Sequence, residues 1–246
     1  MQKAAVEKAV AKWDGLAWSA LISHEGVYTY FGISELVYAL TVFDDGSGPA
    51  LYVGGAFHYA GGVEARSIVK WDGTAWSPLG TGLGGDDPEV RAMAVFDDGN
   101  GPALYVAGTF SLAGGVPAKD IAKWDGKSWS PLGADLGDTY HGIQALAVFD
   151  DGGGADLYAA GPFRFTPVGW HNLASWNGDT WTLLAYVEPI YWIPDLDALA
   201  VFRDDDGTEA LYAGGFFLEG NDTSANGVAK WNGQTWSVLP NSPGWV

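Results

Sequence analysis

The sequence contains no cysteine, which excludes disulfides, a thiol nucleophile and cysteine metal sites. Its 12 Lys and Arg stand against 30 Asp and Glu, a net charge of -18. Such a chain lacks the basic face that nucleic-acid phosphates or an anionic membrane require. It has no apolar run long enough to span a bilayer. The first residues mix charges with Ala and lack the apolar core of a signal peptide. Histidine occurs only at His24, His58, His141 and His171, too dispersed for a sequence motif. The compartment stays open, because large secreted domains do not require disulfides.

What the chain does have is glycine, tryptophan and repetition. Hydrophobic residues make up 48% and aromatics 14%, which rules out general disorder. The pattern Trp-(Asp/Asn)-Gly-x-x-Trp begins five times, at Trp13, Trp71, Trp124, Trp176 and Trp231. An Asp-Gly or Asn-Gly pair between strand formers predicts a hairpin in which both central residues adopt positive φ. The flanking tryptophans are placed to seal it and to pack on a neighbouring sheet.

A longer unit surrounds four of these hairpins, at about 37–80, 90–133, 143–184 and 196–240, with a half unit at 8–21. The interval between successive motifs, 52 to 58 residues, is that of a propeller or similar array. Each unit predicts four antiparallel strands. The first, such as Ala145-Leu146-Ala147-Val148-Phe149, is almost wholly apolar, as expected of a strand covered on both faces. The second, Leu-Tyr-(Val/Ala)-(Gly/Ala)-Gly, ends in glycine where chains bend or backbones approach. The third carries a Lys-Trp pattern and the fourth is led by Trp. The expected fold is all-β, a single β-propeller domain over 1–246 with four-stranded antiparallel blades and four or five radial positions.

The segments Leu51-Tyr52-Val53-Gly54-Gly55 and Leu211-Tyr212-Ala213-Gly214-Gly215, each followed by a Trp-led fourth strand, resemble kelch-type repeats of the galactose-oxidase central domain. The wording is more similar still to repeats of bacterial surface proteins and of the fungal cortical-marker family. Ala107-Gly108 and Ala160-Gly161 depart from the double glycine. The resemblance covers nearly the whole chain and implies a propeller and an extracellular or cell-surface setting. It implies little about function, since propellers host lectins, scaffolds and enzymes alike. A copper oxidase is excluded, because that chemistry needs a cysteine-derived ligand.

Ring closure is the open point of the repeat count. Four complete units and one spare hairpin fit five radial positions with one irregular blade. Its inner strands would come from residues 22–35, from a second copy, or from a longer parent chain. An unpaired inner edge would otherwise invite aggregation.

The turns Asp44-Asp45, Asp97-Asp98, Asp150-Asp151 and Asp204-Asp205-Asp206 read as tight turns, with weak calcium binding as the alternative. Lys12, Lys70, Lys123 and Lys230, replaced by Ser175 in the third unit, are expected to pair with acids or cover tryptophan rings. Function is expected where the copies differ, in the loops around the channel mouth. Those loops nominate His24, Glu25, Tyr28, Tyr30, His58, Tyr140, His141, Arg164, Trp170, His171, Tyr186, Glu188, Tyr191 and Trp192 as ligand-binding residues. Aromatics beside carboxylates suit sugar rings or a protein partner. The expectation is a non-catalytic module that recognises a glycan or a surface protein, with no cofactor or metal. The alternatives are a glycosidase or lyase using Glu25, Glu188 or Asp138, and a purely architectural repeat.

Overall fold

The computed structural model describes residues 10–21, 36–132, 136, 138–139, 141–165, 169–187, 195–205, 207–216 and 226–239. Among them every regular element is a strand. An N-terminal hairpin comprises β1 (Ala11–Trp13) and β2 (Trp18–Ala20). The first unit contains β3 (Leu36–Asp44), β4 (Pro49–Ala56), a small hairpin of β5 (Tyr59–Ala60) and β6 (Val63–Glu64), then β7 (Ile68–Trp71) and β8 (Trp76–Pro78). After β9 (Leu83–Gly84) come β10 (Glu89–Asp97), β11 (Pro102–Thr109), β12 (Leu112–Ala113), β13 (Val116–Pro117), β14 (Ile121–Trp124) and β15 (Trp129–Pro131). After β16 (Asp138–Thr139) come β17 (Ala145–Asp150), β18 (Ala155–Phe165), β19 (Gly169–Trp176) and β20 (Trp181–Val187). The last unit is β21 (Asp195–Arg203), β22 (Glu209–Phe216), β23 (Asn226–Trp231) and β24 (Trp236–Val238).

Each unit builds one antiparallel sheet in chain order. Sheet I is β3-β4-β7-β8, sheet II β10-β11-β14-β15, sheet III β17-β18-β19-β20 with β16 added, and sheet IV β21-β22-β23-β24. The sheets pack face to face in succession. Phe43, Tyr52 and Ile68 of sheet I meet Leu104, Val106 and Trp124 of sheet II. Phe96, Tyr105 and Ile121 then meet Leu157, Ala159 and Trp176 of sheet III. Phe149, Tyr158 and Leu173 meet Leu211, Ala213 and Trp231 of sheet IV. Strand alternation explains this order: Tyr52 and its neighbours Leu51 and Val53 lie on opposite faces. Val10 and Leu21 of the hairpin pack with Val53, Val69, Trp71 and Trp76 on the other face of sheet I. They stand where Ile68 and Leu79 stand toward sheet II.

The Trp hairpins form as expected, but by a different turn. Trp13 pairs with Trp18, Trp71 with Trp76 and Trp124 with Trp129, so four residues lie between the paired positions. Only the glycine takes positive φ, for example 97° at Gly126. The preceding Asp or Asn instead accepts two backbone N–H bonds, as Asp125 Oδ1 does from Lys127 (2.8 Å) and Ser128 (2.7 Å). The side chain thus does what a left-handed Asp would otherwise have to do.

Coverage of the first strand departs from expectation at both ends of the array. In β3, Leu40 and Val42 are 55% and 65% exposed, and in β21 Phe202 is 59% exposed, against 3–4% for Phe43, Phe96 and Phe149. These are the faces with no described sheet against them.

The second glycine of the Leu-Tyr-x-x-Gly strands of sheets I, II and III lies against a neighbouring backbone. A Cβ on Gly108 would stand 2.0 Å from the Glu89 carbonyl oxygen, and one on Gly55 2.1 Å from that of Leu36. The first position varies: a Cβ on Gly54 would stand 2.3 Å from Val90 Cγ1, whereas Ala107 and Ala160 carry one in sheets II and III. At Gly214 the nearest atoms to an added Cβ are 3.6 and 3.7 Å away. Gly108→Ala is therefore expected to cost about 1–3 kcal/mol through overpacking. Gly214→Ala is expected to gain about 0.4–1 kcal/mol by restricting the unfolded chain. Urea unfolding of the two variants checks both signs.

Candidate functional site

The Asp-Asp-Gly turns are closed by their own carboxylates. Asp44 Oδ1 accepts the Gly46 and Gly48 N–H groups at 2.9 and 3.0 Å. Asp45 accepts the Tyr52 hydroxyl at 2.9 Å, the Lys70 ammonium at 2.5 Å and the Ser47 hydroxyl at 2.6 Å. The same Tyr–Asp–Lys set recurs as Tyr105–Asp98–Lys123 and Tyr212–Asp204–Lys230. Lys70, Lys123 and Lys230 thus pair with acids, the first of the two expected roles, and Lys70 and Lys123 lie 6.0 and 5.9 Å from the Tyr52 and Tyr105 ring centres.

Burial alone would raise the Asp45 carboxyl, but the Lys70, Ser47 and Tyr52 donors outweigh it and hold it well below the usual carboxylate range. Burial and the adjacent Asp98 charge push the Tyr105 hydroxyl up. In the third unit, where Ser175 replaces the lysine, Tyr158 meets Asp151 at 3.4 Å. Burial, with the Asp151 and Asp150 charges, raises Asp156 there despite a bond from Ser175. These acids are engaged by protein donors, and no group of three or more potential metal ligands gathers among the described residues.

The opposite end of the sheets carries the loops. The connection leaving one unit pairs with the loop between the second and third strands of the next. Leu83 pairs with Ala113 and Gly84 with Leu112. At the following junction β16 pairs with β18, Asp138 opposite Arg164 and Thr139 opposite Phe163. Here sheet III departs from its neighbours: β18 has 11 residues where β11 has 8, and β20 has 7 where β15 has 3. The added length sets out two cross-strand rows, Asp138–Arg164–Trp170–Val187 and Thr139–Phe163–His171–Tyr186.

Arg164, Trp170, His171 and Tyr186 are therefore strand residues, where the repeat pattern suggested loops. His171 is 7% exposed and does not face a free rim. The pairing of β18 with β19 continues past the point where the first two units turn away, and carries it inside. His58 and His141 are exposed. His24, Glu25, Tyr28, Tyr30, Tyr140, Glu188, Tyr191 and Trp192 lie outside the described residues.

Within this end lies a row that the loops did not reveal. Pairing in the first strand of sheets I, II and IV slips by one residue, between Val37 and Ala39, Val90 and Ala92, and Leu196 and Ala198. The residues at these bulges are Tyr38, Arg91 and Asp197, and Gln144 holds the corresponding place just before β17. Bulges commonly re-aim a side chain next to a functional site. Arg91 lies 6.0 Å from the Tyr38 ring centre and donates to Gln144 Oε1 at 2.8 Å. Glu89 accepts from the other guanidinium nitrogen at 2.8 Å, and Gln144 Nε2 donates to the His141 carbonyl at 2.6 Å. Three sheets thus contribute one residue each to a contiguous aromatic–cation–amide row. The sequence carried the signal: this position changes chemically in every unit while Val/Ile/Leu before it and Ala after it stay constant.

Compared with protein-family models, curated proteins and solved structures, the chain matches none at a significant level.

Proposed function

We propose that the chain is a β-propeller of the kelch-like kind and a non-catalytic binding module, whose ligand is a glycan held at the bulge row. The successive packing of hairpin and sheets in five positions supports a radial arrangement. The observation that carries the binding reading is the Tyr38–Arg91–Gln144 row. It joins three different chemistries at one repeat position, where the fold itself asks for no particular side chain. A sugar offers an apolar ring face to an aromatic and hydroxyls to a guanidinium, amide and carboxylate.

A glycan-array screen of the protein tests this. At least one glycan is expected to bind, with affinity falling about tenfold in Arg91→Ala, the worth of one well-placed polar contact of about 1.4 kcal/mol. The variant's urea midpoint is compared first, so that unfolding is not mistaken for lost contact. An array without a binding glycan overturns the reading and turns the search to a protein ligand.

A further inference from the structure

We propose that the part of sheet I left uncovered by the described residues, beside the N-terminal hairpin, is an acceptor for a β-hairpin of the repeat's own first-and-second-strand type. The hairpin β1–β2 occupies the outer half of a position preceding sheet I, as shown by Val10 and Leu21 packing in the places of Ile68 and Leu79. Three features mark the inner half as a receptor.

The first is an apolar wall. Leu40 and Val42 lie opposite Val53 and Leu51, on the face that the hairpin covers only in part. Their counterparts Met93 and Val95 pack against the preceding unit, and Leu146 and Val148 do so one sheet further on. There the covering element is the preceding sheet's first and second strands, and Thr41 Oγ1 of β3 donates to the Met93 carbonyl at 3.3 Å.

The second is a turn-sized gap. Gly126, Gly178 and Gly233 each lie against the second Asp of the preceding unit's turn, an added Cβ coming within 2.8 Å of Asp45, 2.9 Å of Asp98 and 2.6 Å of Asp151. At Gly73, the same position in sheet I, no atom lies within 4 Å.

The third is an open edge and a matching charge. Third strands β7, β14 and β23 each pair on both sides, whereas β1 pairs with β2 alone among the described residues. A free edge recruits an added strand through main-chain bonds. Lys12 on β1 is exposed, at the position from which Lys70, Lys123 and Lys230 hold the Asp of their own units.

The occupant is thereby specified: an apolar strand ending in Phe, an Asp-Asp-Gly turn whose second Asp meets Lys12 and Gly73, and a Leu-Tyr-x-x-Gly strand. All four copies of that signature in this sequence are built into sheets I–IV, so the occupant is a further copy of it. If the sheets form the proposed ring, the exposed Phe202 face of sheet IV is the second wall of the same slot. That clause alone rests on the propeller reading.

The test is titration of a synthetic peptide spanning residues 90–109 into the protein, followed by calorimetry. Saturable one-to-one binding is expected, weakened at least tenfold by Leu40→Asp/Val42→Asp and by Phe96→Asp in the peptide. The peptide variant keeps the test decisive should the protein variant not fold. No saturable binding, or binding indifferent to both changes, overturns the proposal. Binding that Phe202→Asp also weakens supports the acceptor together with the ring. Binding that only the sheet I and peptide changes weaken supports the acceptor and sinks the ring.

Discussion

Replacing Trp129 by alanine is expected to destabilise the protein by about 3–5 kcal/mol, the usual cost of removing a buried aromatic from a core. The same replacement at Trp18, the equivalent residue of the N-terminal hairpin, is expected to stay within about 0.5 kcal/mol. The two residues share a motif and differ in what covers them. Trp129 is 8% exposed, whereas Trp18 is 70% exposed. Trp129 stacks on Trp124 with ring centres 5.2 Å apart and donates its indole N–H to the Leu79 carbonyl of the preceding unit at 2.9 Å. It also lies against Gly114, where an added Cβ would come within 2.5 Å of the ring. Truncation therefore opens a cavity between two sheets and removes one of the two donors, the Trp129 indole and the Gly82 N–H, that the Leu79 carbonyl accepts from. Trp18 stacks on Trp13 in the same way, at 5.4 Å, but that pair has no described sheet beneath it. Urea unfolding of both variants measures the difference. Equal losses would mean that the motif stabilises hairpins one at a time and that inter-sheet packing contributes little.

That contrast shows which part of the structure was legible in the repeat and which was not. Trp-Asp-Gly-x-x-Trp predicts a hairpin wherever it occurs, because turn and flanking strands are local. All five hairpins form. The four sheets followed from the same local logic. What covers each hairpin is a property of its neighbours, so the exposure of Trp13 and Trp18 could be read only from the count of complete units. His171 illustrates a different failure. The Ala-Gly-Gly-Val loops of the first two units suggested a loop there, yet Phe163-Arg164-Phe165 and Gly169-Trp170-His171 flank a short Pro-containing stretch, a sequence pattern of two strands joined by a short connection. The bulge row was less legible than the loops, because its variable residue sits inside an otherwise constant strand.

The Tyr–Asp–Lys sets give the second large effect. Removing the carboxylate in Asp98→Ala is expected to cost about 3 kcal/mol, the low end for breaking a largely buried ion pair, since Lys123 retains some contact with water. Asp98 and Lys123 side chains are 8% and 16% exposed. The loss strands an ammonium and the Tyr105 hydroxyl, which donates to Asp98 at 2.9 Å. Adding Lys123→Met is expected to recover part of that loss, because the uncompensated charge goes with it. A double-mutant cycle by urea unfolding reads the coupling, and additive single effects would show that the pair contributes nothing as a pair. The pH dependence follows with a definite sign. Burial opposes ionisation of Asp98, but Lys123, Tyr105 and Asn100 overcome it and lower the carboxyl below its ordinary value, as Lys70 and its neighbours do for Asp45. A depressed folded-state pKa stabilises above the unfolded value of about 3.9 and loses that contribution as pH falls toward the folded value. Urea midpoints are thus expected to hold between about pH 7 and 5 and to fall below about pH 4. Asp98→Ala, having already lost one such group, is expected to fall less steeply. Parallel acid profiles for the two proteins would place the acid sensitivity outside these sets.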